Sequence, residues 1–173
     1  MLLSLPVGLR AMKATLVALV ALFAFLAALN NVTDYGSNFQ FVQHVLSMDT
    51  TFAGNQLQWR RIESPWAHHL AYAAIILAEL ATALLCALGA WRMLKARAAP
   101  DADFAQAALL ASWGLTLGIV LWFGGFITIG AEWFLMWQSP TWDGRQAAFR
   151  FVVCLLGCLI FINLPEPKGR GPS

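Results

Sequence analysis

The chain has 173 residues, 60% hydrophobic and only 12% charged. Soluble domains carry about 25% charged residues, so composition excludes that class and points to one integral membrane domain over 1–173. A net charge of +2 without an Arg/Lys stripe excludes nucleic acid as a partner.

Met1 to Lys13 is a short head carrying Arg10 and Lys13, followed by an apolar run to Leu29. The run is longer than the core of a signal peptide, and no Ala-x-Ala site precedes Asn30. It reads as a retained first transmembrane helix, about 10–29. The segment 30–67 is polar-mixed. Asn30 to Gly36 has loop and turn chemistry, and Ser37 or Asn38 can cap a short amphipathic helix from Phe39 to Met48. Trp59, Arg60, Arg61 and Trp66 suit the lipid headgroup level. This segment is expected to fold as a partly helical cap over the outer end of a bundle. Asn31-Val32-Thr33 matches a glycosylation sequon, a pattern short enough to arise by chance.

A second helix is expected at about 69–91, ending at Trp91, Arg92 and Lys95. After a link in which Asp101 or Asp103 can cap, a third spans about 104–130. Gly114 and Gly118 form a small-xxx-small pair in it, and Gly125 falls on the same face, a stripe that lets helix backbones approach closely. The apolar stretch then runs on to Trp137, which calls for tilting or a turn along the surface. The loop 138–145 leads into a fourth helix, 146–164, stopped by Pro165 and Pro167. Cys86, Cys154 and Cys158 all fall in apolar runs and read as small packing residues rather than as a disulfide framework. The fold class is therefore all-α: a four-helix transmembrane bundle with an extracytoplasmic cap between helices one and two. Arg10, Lys13, Arg92, Lys95, Arg97, Lys168 and Arg170 outnumber the basic residues of the other side, Arg60, Arg61, Arg145 and Arg150. That bias puts both termini of a multi-pass protein in the cytoplasm.

The polar residues inside the helices are few. His68 and Glu79 are three turns apart on one face, with Tyr72 between them and Thr82 beyond. The spacing places Glu79 near mid-membrane, where a carboxylate costs roughly 2.5 to 3.5 kcal/mol and needs a partner, a proton or water. The face is either a buried seam that fixes helix register or a proton relay. His69 points about 100° away from His68, so the two cannot aim at one ion. No metal site is expected from His44, His68 and His69, and no cofactor, although haem or quinone would suit the aromatic residues Trp122 and Phe126. Glu132 and Arg150 lie near the outer ends of adjacent helices, and a salt bridge is the natural way to hold Arg150 off lipid.

The run Asn30-Asn31-Val-Thr-Asp34-Tyr35-Gly-Ser-Asn38-Phe39, continuing to His44 and Asp49, with Trp59-Arg60 and Ala67-His68-His69-Leu-Ala-Tyr72, resembles a bacterial family of predicted small integral membrane proteins with four helices. The likeness covers most of the chain. It implies a four-helix protein of the inner membrane, and it transfers no catalytic residues because the family has no established activity. It does single out Asn31, Asp34, Tyr35, Asn38, His44, Asp49, Arg60 and His69 in the cap, beside His68 and Glu79.

No nucleophile–base pair, phosphate loop or metal signature is present, so an enzyme is not expected. The leading expectation is a non-catalytic accessory or interaction subunit of an inner-membrane complex, with a respiratory complex as one candidate. Its partners would be the bilayer and another membrane protein or a second copy of the chain. The alternatives are a small proton-coupled transporter or channel using His68, Tyr72 and Glu79, and a haem- or quinone-binding redox module.

Overall fold

A computed structural model describes residues 5–165. Its regular elements are all helical: α1 Leu5–Thr33, α2 Tyr35–Ser47, α3 Pro65–Lys95, α4 Asp101–Ile119 and α5 Arg145–Asn163. α4 runs on without a break as a π-helical stretch, Val120–Trp133, called here the wide segment. Four of these helices are long and apolar enough to cross a membrane: Leu5–Thr33, Pro65–Ala98, Asp101–Trp133 and Arg145–Asn163. α3 packs along α1 on one side and α4 on the other, and α5 packs on α4 and the wide segment. Ala14, Val17, Ala24, Cys86, Ala111 and Leu115 are fully buried at the centre.

Close approach in this bundle is made by small residues. A Cβ on Gly89 would lie 2.6 Å from the Ala111 amide nitrogen, and one on Gly114 would lie 2.7 Å from Cys86 Sγ. Gly118 is also tight, with Leu155 Cδ1 at 3.0 Å. The expected stripe thus holds at Gly114 and Gly118 and fails at Gly125, where a Cβ would meet only Leu121 Cδ1 at 3.9 Å. The physical reason is the wide segment. Its longer-range bonds, such as Phe134 N–H to Ile129 O at 3.1 Å, put more residues in each turn. Gly125 is thereby rotated off the line that a 3.6-residue count gives it.

The two ends of the bundle differ in kind. At one end the basic head of α1 is built into the structure. Arg10 is 3% and Lys13 2% exposed. Arg10 donates to Ala99 O at 2.6 Å and pairs with Asp101, so Asp101 serves as an ion-pair partner and makes no side-chain cap. Lys13 Nζ donates to Leu164 O at 2.8 Å and Ile162 O at 3.3 Å, placing a cation where the carbonyls of α5 run out. Lys168 and Arg170, expected at the same end, lie outside the described residues.

At the other end sits the cap. Asn30 to Thr33 are helical rather than loop, because α1 continues until Asp34 turns the chain. Asn30 O, near the end of α1, takes the Asp34 N–H at 2.9 Å and the Asn38 Nδ2 at 3.4 Å, and Asn38 Nδ2 also reaches Asp34 O at 3.1 Å. α2 therefore starts at Tyr35, ahead of the expected Ser37 or Asn38 cap. It buries Val42 and Val45 and ends at Met48 in the left-handed conformation. Ser64 caps α3 through the Ala67 N–H, with Pro65 in the first turn. Val45, Met48, Ala131, Phe134, Leu135 and Met136 join the cap to the end of the wide segment in one apolar cluster.

Candidate functional site

α3 and α1 run antiparallel, and this sets the depth of the central carboxyl. Glu79 is about 24 Å along the axis from Lys95 at the ordinary helical rise. It lies level with Asn31, two residues from the end of α1. The first three turns of α3 rise past α1 and pack beside α2. Glu79 therefore lies near the middle of α3 but close to the cap end of α1. The sequence estimate took the midpoint of one hydrophobic run and had no means of seeing that its partner helix ends earlier.

His68, Tyr72, Glu79 and Thr82 do share one buried face of α3. Their hydrogen bonds do not form one chain. Asn31 Nδ2 donates to Glu79 Oε2 at 2.8 Å. Tyr72 Oη donates to Asn31 O at 2.9 Å and approaches Asn31 Oδ1 at 3.3 Å. Asn31, from the facing helix, is thus the link between Tyr72 and Glu79. His68 turns elsewhere: its Nε2 donates to Ile62 O at 2.7 Å, and Ile62 N–H in turn reaches Leu46 O at 2.8 Å. That pair ties the loop before α3 to α2. Thr82 Oγ1 is buried and has no hydrogen-bond partner among the described residues.

The other cap residues fall into separate clusters. Tyr35 Oη and His69 Nδ1 share a hydrogen bond of 2.7 Å, and the His69 ring stacks on Phe39 at 4.2 Å. Tyr35 meets Tyr72 edge-on at 4.7 Å, which places this exposed aromatic group directly above the Asn31 link. His44 Nδ1 donates to Asp49 Oδ2 at 2.7 Å, and its ring stacks on Trp142. Arg60 lies over both the Trp59 and Trp133 rings, which meet each other edge-on, and donates to Trp133 O at 3.3 Å. The three histidines thus go to three different places. No group of three or more His, Cys, Asp or Glu side chains comes together among the described residues.

Glu132 and Arg150 are both exposed, and no ion pair joins them among the described residues. The expected salt bridge assumed a regular hairpin. Instead the chain reaches Glu132 through the wide segment, whose turns hold more residues than an α-helix, and passes through Leu135 in the left-handed conformation before α5. The ion pair of this loop is Asp143 with Arg145, at 2.8 Å. The Arg145 hydrogen bonds hold the Asp143 carboxyl below its ordinary range against an opposing effect of partial burial.

Two adjoining clefts open beside the Asn31 link. One, about 210 Å³, is lined by Asn31, Asn38 and Tyr72 with Trp122, Phe126 and Phe151. The other, about 300 Å³, lies between α2 and the wide segment and is lined by apolar residues including Val45, Leu121, Gly125 and Phe134. Sequence reasoning singled out Asn31, Tyr72, Trp122 and Phe126 separately. It read Val42, which lines both clefts, only as part of the apolar stripe of the cap helix, and it missed Phe41 and Ile75, which also line both, and Gly144, on which the Phe41 ring rests. A glycine one residue before a helix start was the only available sign of that contact.

Residues 9–165 match the model of the family described as "predicted small integral membrane protein". No curated protein and no solved structure matches the chain. The match spans most of the sequence, and the chain belongs to this family.

Proposed function

We propose, with membership of that family as the premise, that the chain is a non-catalytic interaction subunit of an assembly in the bacterial inner membrane. The observation that carries this reading is a groove of about 700 Å³ along the outside of α1 and α3. Ala18, Ala21, Ala83, Ala87 and Ala90 line it, with Leu22, Phe25 and Leu84 also on its walls. Alanines at that spacing let the backbone of another helix come close, which lipid chains do not need. Glu79 supports the same reading from inside. Asn31 from the facing helix supplies its hydrogen bond, and His68 is directed to Ile62, which favours a register-fixing seam over a relay. The orientation we infer has both termini in the cytoplasm and the cap outside. Its support is the gathering of Arg10, Lys13, Arg92, Lys95 and Arg97 toward one end.

Native mass spectrometry after extraction in mild detergent tests the subunit reading. The expected result is a stoichiometric complex with a second membrane protein or a second copy, lost in Ala87→Trp while the helical circular dichroism is kept. A wild-type chain that flies only as a lone monomer would refute it. Cysteine labelling from each side tests the orientation. Arg97→Cys should react from the cytoplasm and Ala53→Cys from outside, in a chain whose own cysteines are replaced by alanine.

A further inference from the structure

We propose that the two clefts beneath α2 form one binding site for an uncharged amphiphile of the quinone class. Its ring head would sit by Asn31 and Tyr72, and its hydrocarbon tail between α2 and the wide segment. The clefts are neighbours: Phe41, Val42, Ile75 and Phe126 line both. The rings of Phe41 and Phe126, two of the shared residues, stack at 5.9 Å. Phe41 is held at its far edge by Gly144, where a Cβ would lie 2.8 Å from Phe41 Cζ. The larger cleft, about 300 Å³, reaches the lower end of the small-ligand range, about 300–1,000 Å³.

The lining chooses the ligand chemistry. No ionisable Arg, Lys, His, Asp or Glu side chain lines either cleft. A phosphate or carboxylate head would be buried there without a counter-charge, at a cost no available hydrogen bond offsets. The smaller cleft offers neutral groups. The Asn31 carboxamide donates one N–H to Glu79 and carries a second. The Tyr72 hydroxyl gives its proton to Asn31, and its oxygen retains acceptor capacity. A carbonyl is the matching head, and the faces of Trp122, Phe126 and Phe151 suit a flat ring.

The larger cleft supplies the tail site. Its wall is the wide segment, and π-helical turns recur at functional sites. Gly125 stands in that wall, and a Cβ there would meet only Leu121 Cδ1 at 3.9 Å. The missing side chain serves no helix contact, and its effect is to leave the cleft open.

Isothermal titration of the purified full chain with decylubiquinone tests this, with decanoate titrated in parallel. Saturable binding near one probe per chain is expected for the quinone, and none for the carboxylate. Gly125→Leu, which fills the tail cleft from the wide segment, should weaken quinone binding at least roughly tenfold. Ala74→Phe, which fills it from α3, should do the same, so that a folding failure of one variant leaves the other. Each variant is scored only with its melting temperature retained. Non-saturable uptake by the wild type, equal binding of decanoate, or unchanged quinone binding in a folded cleft-filling variant would each overturn the site. None of these results depends on whether the chain has a protein partner.

Discussion

Asn31 joins two helices through a single carboxamide, and its removal has an effect that can be worked out. In Asn31→Ala, Glu79 loses the donor at 2.8 Å, whereas Tyr72 keeps the backbone oxygen it holds at 2.9 Å. The loss is therefore one hydrogen bond to a buried carboxyl that is 4% exposed. Such a bond contributes about 1.5–3 kcal/mol when the carboxyl is charged and about 0.5–1.5 kcal/mol when it is neutral. In a Glu79→Leu background the same Asn31→Ala change removes a donor that already has no acceptor. Its cost should then fall by the coupling energy, about 1–2 kcal/mol. The assay is a double-mutant cycle on unfolding in mixed micelles, titrated with a denaturing detergent and followed by helical circular dichroism. Glu79→Gln, which keeps the acceptor oxygen, should retain most of the coupling. An Asn31→Ala cost that is the same in both backgrounds would show that the two side chains do not interact, and the seam reading would fail with it.

The glycines separate packing from spacing. Gly89→Ala drives a Cβ into the Ala111 backbone at 2.6 Å and should cost about 1–3 kcal/mol, whereas Gly125→Ala, with its nearest neighbour at 3.9 Å, should leave stability unchanged in the same unfolding assay. Lys13→Met removes the donor to Leu164 O and Ile162 O, and should cost about 1–3 kcal/mol and speed amide exchange at the end of α5. Asp143→Asn should cost less than about 1 kcal/mol, because its pair with Arg145 is partly exposed. The sign with pH follows from the lowered Asp143 carboxyl. The contribution is complete above the unfolded-state pKa of Asp and is lost as pH falls through the lower folded-state value, so the wild-type and variant curves should converge in acid.

Much of the site's composition was legible, and little of its connectivity. Tyr72, Glu79 and Thr82 could be put on one face because they lie on one helix, where spacing translates directly into angle. Asn31 was marked by its motif and placed in a loop, because Asn-Asn-Val-Thr-Asp carries turn chemistry. In the fold α1 runs on through these residues, where the Asn31 side chain meets Glu79 and its carbonyl takes the Tyr72 hydroxyl, both from α3. The Glu132–Arg150 pair was argued from depth along two helices, and depth alone says nothing about rotation. Glu132 lies in the wide segment, where the 3.6-residue count that relates spacing to angle does not apply.

The hydrophobic runs by themselves determined that four helices are long and apolar enough to cross a membrane, where a helix satisfies its backbone hydrogen bonds within itself. They also determined which residues share a face within each helix. Only the tertiary structure decided how far α3 overshoots α1, and hence that Asn31 meets Glu79 near the cap. It also decided that Arg10 and Lys13 turn inward on carbonyls, and that the space beneath α2 stays open. Those outcomes depend on the relative height and rotation of separate helices. Both are set by contacts between residues far apart in the chain, such as Gly89 against Ala111, and no periodicity within one segment encodes them.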